Sequence, residues 1–177
     1  MKYPYCYEYL LSAKEELLAR DKGKIKYNPF YAWGRTQGLT RVGKKILNPT
    51  FSQYPRFLVV EDKEAFFTNG YGIFFKESTN CYNLFGDMEH VLSKIENIDI
   101  VQKVLNSEIM HYYISKTSVS IEGGYPCYQK NFIEKFTIPD FSSREVSELR
   151  SLSGQRDINL FLMEKYHVNL PAPNLSV

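Results

Sequence analysis

The sequence predicts an α+β fold: a small antiparallel, twisted sheet flanked by helices, with a C-terminal helical tail. Three observations predict it. Apolar residues recur at helical spacing near the start of the chain and again from Asp87 onward. Short β-type runs fill residues 46 to 76. Asn48-Pro49, Glu61-Asp62-Lys63 and Asn69-Gly70 separate those runs as turns do. With 177 residues, the chain is long enough for one substantial core. It shows no internal repeat, heptad run or low-complexity linker. Residues 1–140 are expected to form one domain, with residues 141–177 a helical tail packed on it.

The first element is a helix from Tyr5 to Arg20, with Tyr5, Tyr9, Leu10, Ala13, Leu17 and Leu18 at spacings of three or four and Gly23 as its stop. It begins so soon after Met1 that it suits a segment cut from a longer chain as well as a complete one. Lys22 to Lys26 is a basic link, and Asn28-Pro29 signals a turn. Ile46-Leu47, Phe57 to Val60, Ala65 to Phe67 and Tyr71 to Phe75 read as strands, with another near Tyr82 to Phe85. Asn69-Gly70 between two apolar runs predicts a hairpin.

From Asp87 the period returns to helix. Asp87 suits the cap of a helix carrying Val91, Leu92 and Ile95. Ile98 to Ser115 is expected as one helix burying Ile98, Val101, Val104, Leu105, Ile109, Tyr112 and Tyr113. Gly123-Gly124 marks a turn. After Pro139, helices are expected over Arg144 to Leu152 and Gln155 to Tyr166, with Pro171 and Pro173 ending the ordered chain.

Composition narrows the function classes. A net charge of +2 excludes a uniformly basic nucleic-acid coat, though binding depends on where charge clusters. Cys6, Cys81 and Cys127 are dispersed and odd in number, which favours a reducing, cytoplasmic setting over a disulfide framework. No apolar run has membrane-span length. The 14 Tyr and 12 Phe supply core burial, with enough tyrosine left over for half-exposed rings that stack or hydrogen-bond.

Several chemistries lack their residues. Neither GxGxxG nor GxxxxGK[ST] occurs, and Gly123-Gly124 has no third glycine or following cation. The cysteines and histidines do not cluster as zinc ligands. Cys127 and His111 have no orienting partner, Glu61, Asp62 and Glu64 read as a solvated turn, and Asn48-Pro49-Thr50-Phe51 lacks the second proline of an Asn/Asp-Pro-Pro-aromatic motif. No catalytic residue, metal or cofactor is therefore expected in this chain. The most electropositive stretch is YNPFYAWGRTQGLTRVGKK, where Arg35, Arg41, Lys44 and Lys45 stand without an acidic residue and beside Tyr31 and Trp33.

Four segments in order carry a resemblance. YPYCYEYLLSAKEELLARDKGK, YAWGRTQGL, TNGYGIFF and YYISKTSVSIEGGYPCYQKNFIEKFTIP together resemble the C-terminal target-recognition (TaqI-like specificity) domain of N6-adenine DNA methyltransferases from restriction-modification systems, a group that includes fused methyltransferase-endonucleases. The likeness spans roughly residues 3 to 140, and the glycine-tyrosine-lysine stretch after the long helix is its most specific part. The resemblance implies a sequence-specific DNA-recognition domain that positions duplex DNA for a methyltransferase domain elsewhere in the same parent chain. S-adenosylmethionine would belong to that domain.

On that reading Lys and Arg place the phosphates while polar side chains read base edges. Arg35 and Arg41 suit guanine, and Gln37 and Gln129 suit adenine. Thr36, Lys44, Lys45, Lys116, Ser118 and Lys130 complete the expected polar contacts. Tyr31, Trp33, Tyr125 and Tyr128 would stack or pack on sugars, although Trp33 is weighted toward the core. Gly34, Gly123 and Gly124 shape the backbone, and Arg35 is equally suited to pair with Glu122. A protein–protein docking domain without DNA contact is the alternative, drawing on the same tyrosines and the amphipathic tail.

Overall fold

The computed structural model describes residues 2–34, 41–75, 92, 94–121 and 123–170. The fold is α+β, as expected. The chain divides into two compact units, Met1–Thr40 and Arg41–Val177.

In the first unit the expected long helix is broken. α1 spans Pro4–Ser12 and α2 Lys14–Leu18, with Ala13 between them at φ −95°, ψ 14°. A single 3-10 turn over Arg20–Gly23 follows. None of the described residues of this unit is buried. Apolar spacing is therefore present without a core beneath it, and Tyr5 is 83% exposed. The local structure rests instead on Arg20, whose guanidinium donates to the carbonyls of Leu17 (2.8 Å), Phe30 (2.8 Å) and Ala32 (3.1 Å). It thereby folds the loop after the cis Asn28–Pro29 peptide back onto the end of α2. Tyr7, Phe30 and Tyr31 meet edge to face beside it.

The second unit holds the sheet and the core. β1 (Lys45–Asn48) lies between β2 (Leu58–Val60) and β3 (Tyr71–Phe74), antiparallel to both. Ile46 pairs with Val59 on one side and with Ile73 on the other. Two expectations are corrected here. Ala65 to Phe67 is not a strand, and Asn69-Gly70 does not close a hairpin between neighbours, because β3 pairs with β1. Gly70 sits at φ 129°, and a Cβ there would lie 2.6 Å from the Asn48 carbonyl oxygen. The turn serves the close approach of the chain to the end of β1. The expected strand near Tyr82 to Phe85 and the Asp87 cap lie outside the described residues.

The helix expected over Ile98 to Ser115 is two. α3 is Ile98–Leu105 and α4 is Glu108–Thr117. The break has a polar cause. Asn106 turns its amide onto both the N–H and the C=O of Phe57 (2.8 Å each), while Ser107 becomes the N-cap of α4 with extended backbone (ψ 162°). α3 buries Ile98, Ile100, Val101, Val104 and Leu105 against the sheet. Each such side chain stabilises by roughly 1.5–3 kcal/mol on leaving water, so this short helix is the centre of the core. Tyr112 is 47% exposed rather than buried.

The chain then runs through a hairpin over residues 119–126 and the short α5 (Lys130–Ile133), an element the sequence pattern did not announce. α6 (Ser143–Ser151) and α7 (Gln155–Lys165) follow, and their Val146, Leu149, Ile158 and Leu162 join the same core as α3 and α4. α6 opens with a capping box: Glu145 N–H donates to Ser142 Oγ, and the Glu145 carboxylate accepts from the Ser142 N–H at 2.7 Å. The same carboxylate takes Lys165 Nζ from α7 at 2.7 Å. Lys103 of α3 donates to the carbonyls of Leu149, Arg150 and Leu152, closing the C-terminal end of α6.

Three outcomes test this packing. Gly70→Ala should lower unfolding free energy by about 1–3 kcal/mol in urea denaturation, since a residue other than glycine is strained at that φ. Lys103→Met should cost about 2 kcal/mol by the same measurement, because three helix-end carbonyls lose a charged donor. Lys165, with the Ser142 cap, holds the Glu145 carboxyl down at about 2. Its folded pKa lies below its unfolded value of about 4.3, so its contribution is complete above that value and is lost as pH falls toward 2. In Glu145→Gln, thermal stability should fall less steeply across that window than in the parent.

Candidate nucleic-acid interface

The cations and rings expected at a DNA surface separate into exposed and structural groups. Arg35, Thr36 and Gln37 lie outside the described residues, as does Glu122, the proposed partner of Arg35. Arg41 is exposed, with its guanidinium over the Phe74 ring at 5.6 Å from the centroid. Lys44 is half-buried and bridges to Glu61 at 2.7 Å.

Lys45 is corrected outright: it is fully buried. Its ammonium donates to the carbonyls of Gly43 (2.9 Å), Asp62 (3.3 Å) and Lys63 (3.3 Å), so none of its side chain is offered to a phosphate. The residues of the Glu61–Glu64 turn are thereby engaged in the fold. Its carbonyls hold Lys45, and Asp62 Oδ1 accepts from the Glu64 N–H at 2.9 Å. Among the described residues no group of three or more His, Cys, Asp or Glu could hold a metal ion, and no helix is long and apolar enough to cross a membrane.

The glycine hairpin follows α4. Cys127 N–H donates to Val119 O at 3.0 Å, Ile121 N–H to Tyr125 O at 3.1 Å, and Gly124 N–H to Ile121 O at 3.0 Å. Gly123 and Gly124 take φ of 88° and 76°, the left-handed region that lets the loop reverse within so few residues. Ser118 is half-buried and its Oγ accepts from Cys127 N–H at 3.3 Å, so it closes the base of the hairpin. Tyr125, at the tip, is 45% exposed.

Tyr128 is the second correction. It is 1% exposed and packs edge to face on Phe57, so its ring faces the core. Burial pushes its phenol up, and Glu108 adds to the shift. Its backbone ties the hairpin to the sheet, donating to Thr50 O at 2.7 Å and accepting from Asn48 Nδ2 at 3.1 Å. Gln129 is half-buried at the N-cap of α5. Lys130 is exposed, 3.7 Å from Glu134, and Lys116 is exposed on the last turn of α4, over the Tyr112 ring.

In the first unit Tyr31 is 40% exposed and Trp33 is 72% exposed. The core weighting of Trp33 is thus overturned: none of the unit's described residues is buried. Trp33 and Gly34 line an open recess of about 370 Å³ with Arg20, Asp21 and Tyr27. The Arg20 guanidinium lies 4.2 Å from the centroid of the Tyr27 ring. The Tyr27 hydroxyl donates to the Asp21 carboxylate, and this bond raises the phenol's pKa. Asp21 and Lys22 both adopt left-handed backbone, φ 51° and 58°, which costs about 1–2 kcal/mol for each non-glycine residue. Arg20, Asp21 and Tyr27 were absent from the expected contacts. The basic link from Lys22 to Lys26 is the sequence signal of their neighbourhood.

This sorting has a measurable consequence. Lys45→Glu should abolish cooperative thermal unfolding, because it places an unpaired carboxylate in the core, whereas Arg41→Glu should leave the melting temperature within about 2 °C of the parent. Circular dichroism melts of the two variants check it. No family model, curated protein or solved structure matches the chain.

Proposed function

We propose that this chain is the sequence-specific DNA-recognition part of a restriction-modification adenine-N6 DNA methyltransferase, which positions duplex DNA for a catalytic domain of the same parent protein. The reading is carried by the order of the four segments that resemble such a domain. The chain itself is not the enzyme on this reading: methyl transfer and S-adenosylmethionine belong to the catalytic domain. A cytoplasmic setting goes with it, in keeping with the dispersed cysteines, of which Cys6 and Cys127 are free.

The exposed side chains support the reading. Arg41, Lys116 and Lys130 are exposed cations, and Tyr125 stands at the tip of a hairpin between the two lysines in sequence. Such groups neutralise phosphates and pack on sugars without themselves selecting a sequence. Lys45 and Tyr128 drop out of the contact set because they hold the fold.

A second reading, a protein-docking domain, is favoured by one observation: α1 and α2 bury nothing and leave Tyr5, Tyr9 and Leu18 exposed. One experiment separates the two. Duplex binding measured by anisotropy should weaken with salt by about one log-log unit per phosphate contact. The combined variant Arg35→Glu, Arg41→Glu, Lys116→Glu and Lys130→Glu should lose it at least tenfold. Absence of duplex binding at low salt would favour the docking reading, and duplex affinity that survives the charge reversal would show that these four cations do not carry it.

A further inference from the structure

We propose that the recess of Arg20, Asp21, Tyr27, Trp33 and Gly34 is a nucleotide site, in which an unstacked base lies on the Trp33 indole and donates an N–H of its edge to Asp21. The proposal deepens the nucleic-acid reading and rests on it for the source of the base.

Four features of the recess lead there. Its volume of about 370 Å³ admits one base, and its walls offer an indole that is 72% exposed. Base–aromatic stacking of this kind tolerates any base, since every base has a π-face. The Asp21 carboxylate has two oxygens; Oδ2 accepts from Tyr27, and the other is the acceptor left for a ligand. The Arg20 guanidinium packs on the Tyr27 ring, and Arg20 is itself tied to three carbonyls, so the wall is preorganised. At Gly34 a Cβ would come within 3.1 Å of the Tyr27 hydroxyl oxygen, so glycine keeps that side of the recess open.

Charge selects the ligand class. An aromatic recess with a carboxylate also suits an organic cation. Between Arg20 and Gly34, however, Arg20, Lys22, Lys24 and Lys26 stand against Asp21 alone. A surplus of cations repels an ammonium ligand and attracts a phosphate. Rings, one acceptor and the lysines beside it in sequence together fit a nucleotide.

Trp33 is the sole tryptophan of the chain, which makes it the reporter. The full chain is titrated with adenosine 5′-monophosphate and, separately, with a single-stranded oligodeoxyadenylate, following Trp33 emission. Saturable quenching is expected in at least one arm. The mononucleotide arm identifies a free nucleotide as sufficient, and quenching by the strand alone identifies a base presented by nucleic acid. Whichever ligand quenches should bind at least about fivefold more weakly when its adenine carries two N6-methyl groups, which removes the donor. Asp21→Asn should shrink that discrimination, and Gly34→Val should weaken binding by a similar factor through occlusion. The dimethylated ligand is tested on the unaltered protein, so misfolding of a variant cannot mask the answer. Absence of quenching in both arms, or equal binding of the dimethylated ligand, overturns the proposal. Duplex binding that persists without Trp33 quenching sinks the recess and leaves the recognition reading standing. Quenching without duplex affinity does the reverse.

Discussion

The second unit depends on how the buried ammonium of Lys45 is satisfied. Taking a cation out of water costs several kcal/mol even after relaxation, and no carboxylate repays it here. Three carbonyls do so instead, from Gly43 before the strand and from Asp62 and Lys63 beyond β2. One side chain thereby fixes the start of β1 and the exit of β2. The other end of the strand is governed by Asn48, whose amide holds the Tyr128 carbonyl and whose own carbonyl is approached by Gly70. A strand of only Lys45–Asn48 can organise a sheet because side-chain donors at both its ends hold main-chain carbonyls.

The same device recurs where the helices meet the sheet. Asn106 and Gln102 saturate the peptide groups of Phe57 as a neighbouring strand would, and Lys103 closes the carbonyl end of α6. Short strands leave main-chain groups unpaired, and each such group costs free energy if buried without a partner. Side chains from α3 and its C-cap Asn106 supply the partners. α3 and α4 are separate helices because Ser107, directly after Asn106, takes extended backbone and caps the start of α4.

These demands divide the cations by role. Lys45 and Lys103 serve the backbone, and Lys165 pairs with the Glu145 cap. Of the cations expected at a DNA surface, Arg41, Lys116 and Lys130 stand exposed on the second unit, and Arg20 lines the aromatic recess of the first. A nucleic-acid reading therefore rests on fewer charges than a count along the sequence offers. It gains in their place a set of rings and one carboxylate arranged around Trp33.

Much of the fold was legible in the sequence. Helical spacing of Val101, Val104 and Leu105, the short β-type runs at Ile46-Leu47 and Tyr71 to Phe75, and the glycines at 123 and 124 all express local stereochemistry, which sequence reports directly. The Ser142-x-x-Glu145 cap was equally open to reading, because both of its bonds are local. The candidate site was legible only as a neighbourhood: the basic, aromatic stretch from Lys22 to Lys45 marked it, while the role of each member stayed hidden. Burial of Lys45 and Tyr128, the pairing of β3 with β1, the break at Asn106 and the exposure of Trp33 all follow from contacts between residues distant in the chain. A lysine in an acid-free basic run looks the same whether it faces solvent or three carbonyls. Only the tertiary structure, by deciding which main-chain groups lack partners, decides which side chains must turn inward to supply them.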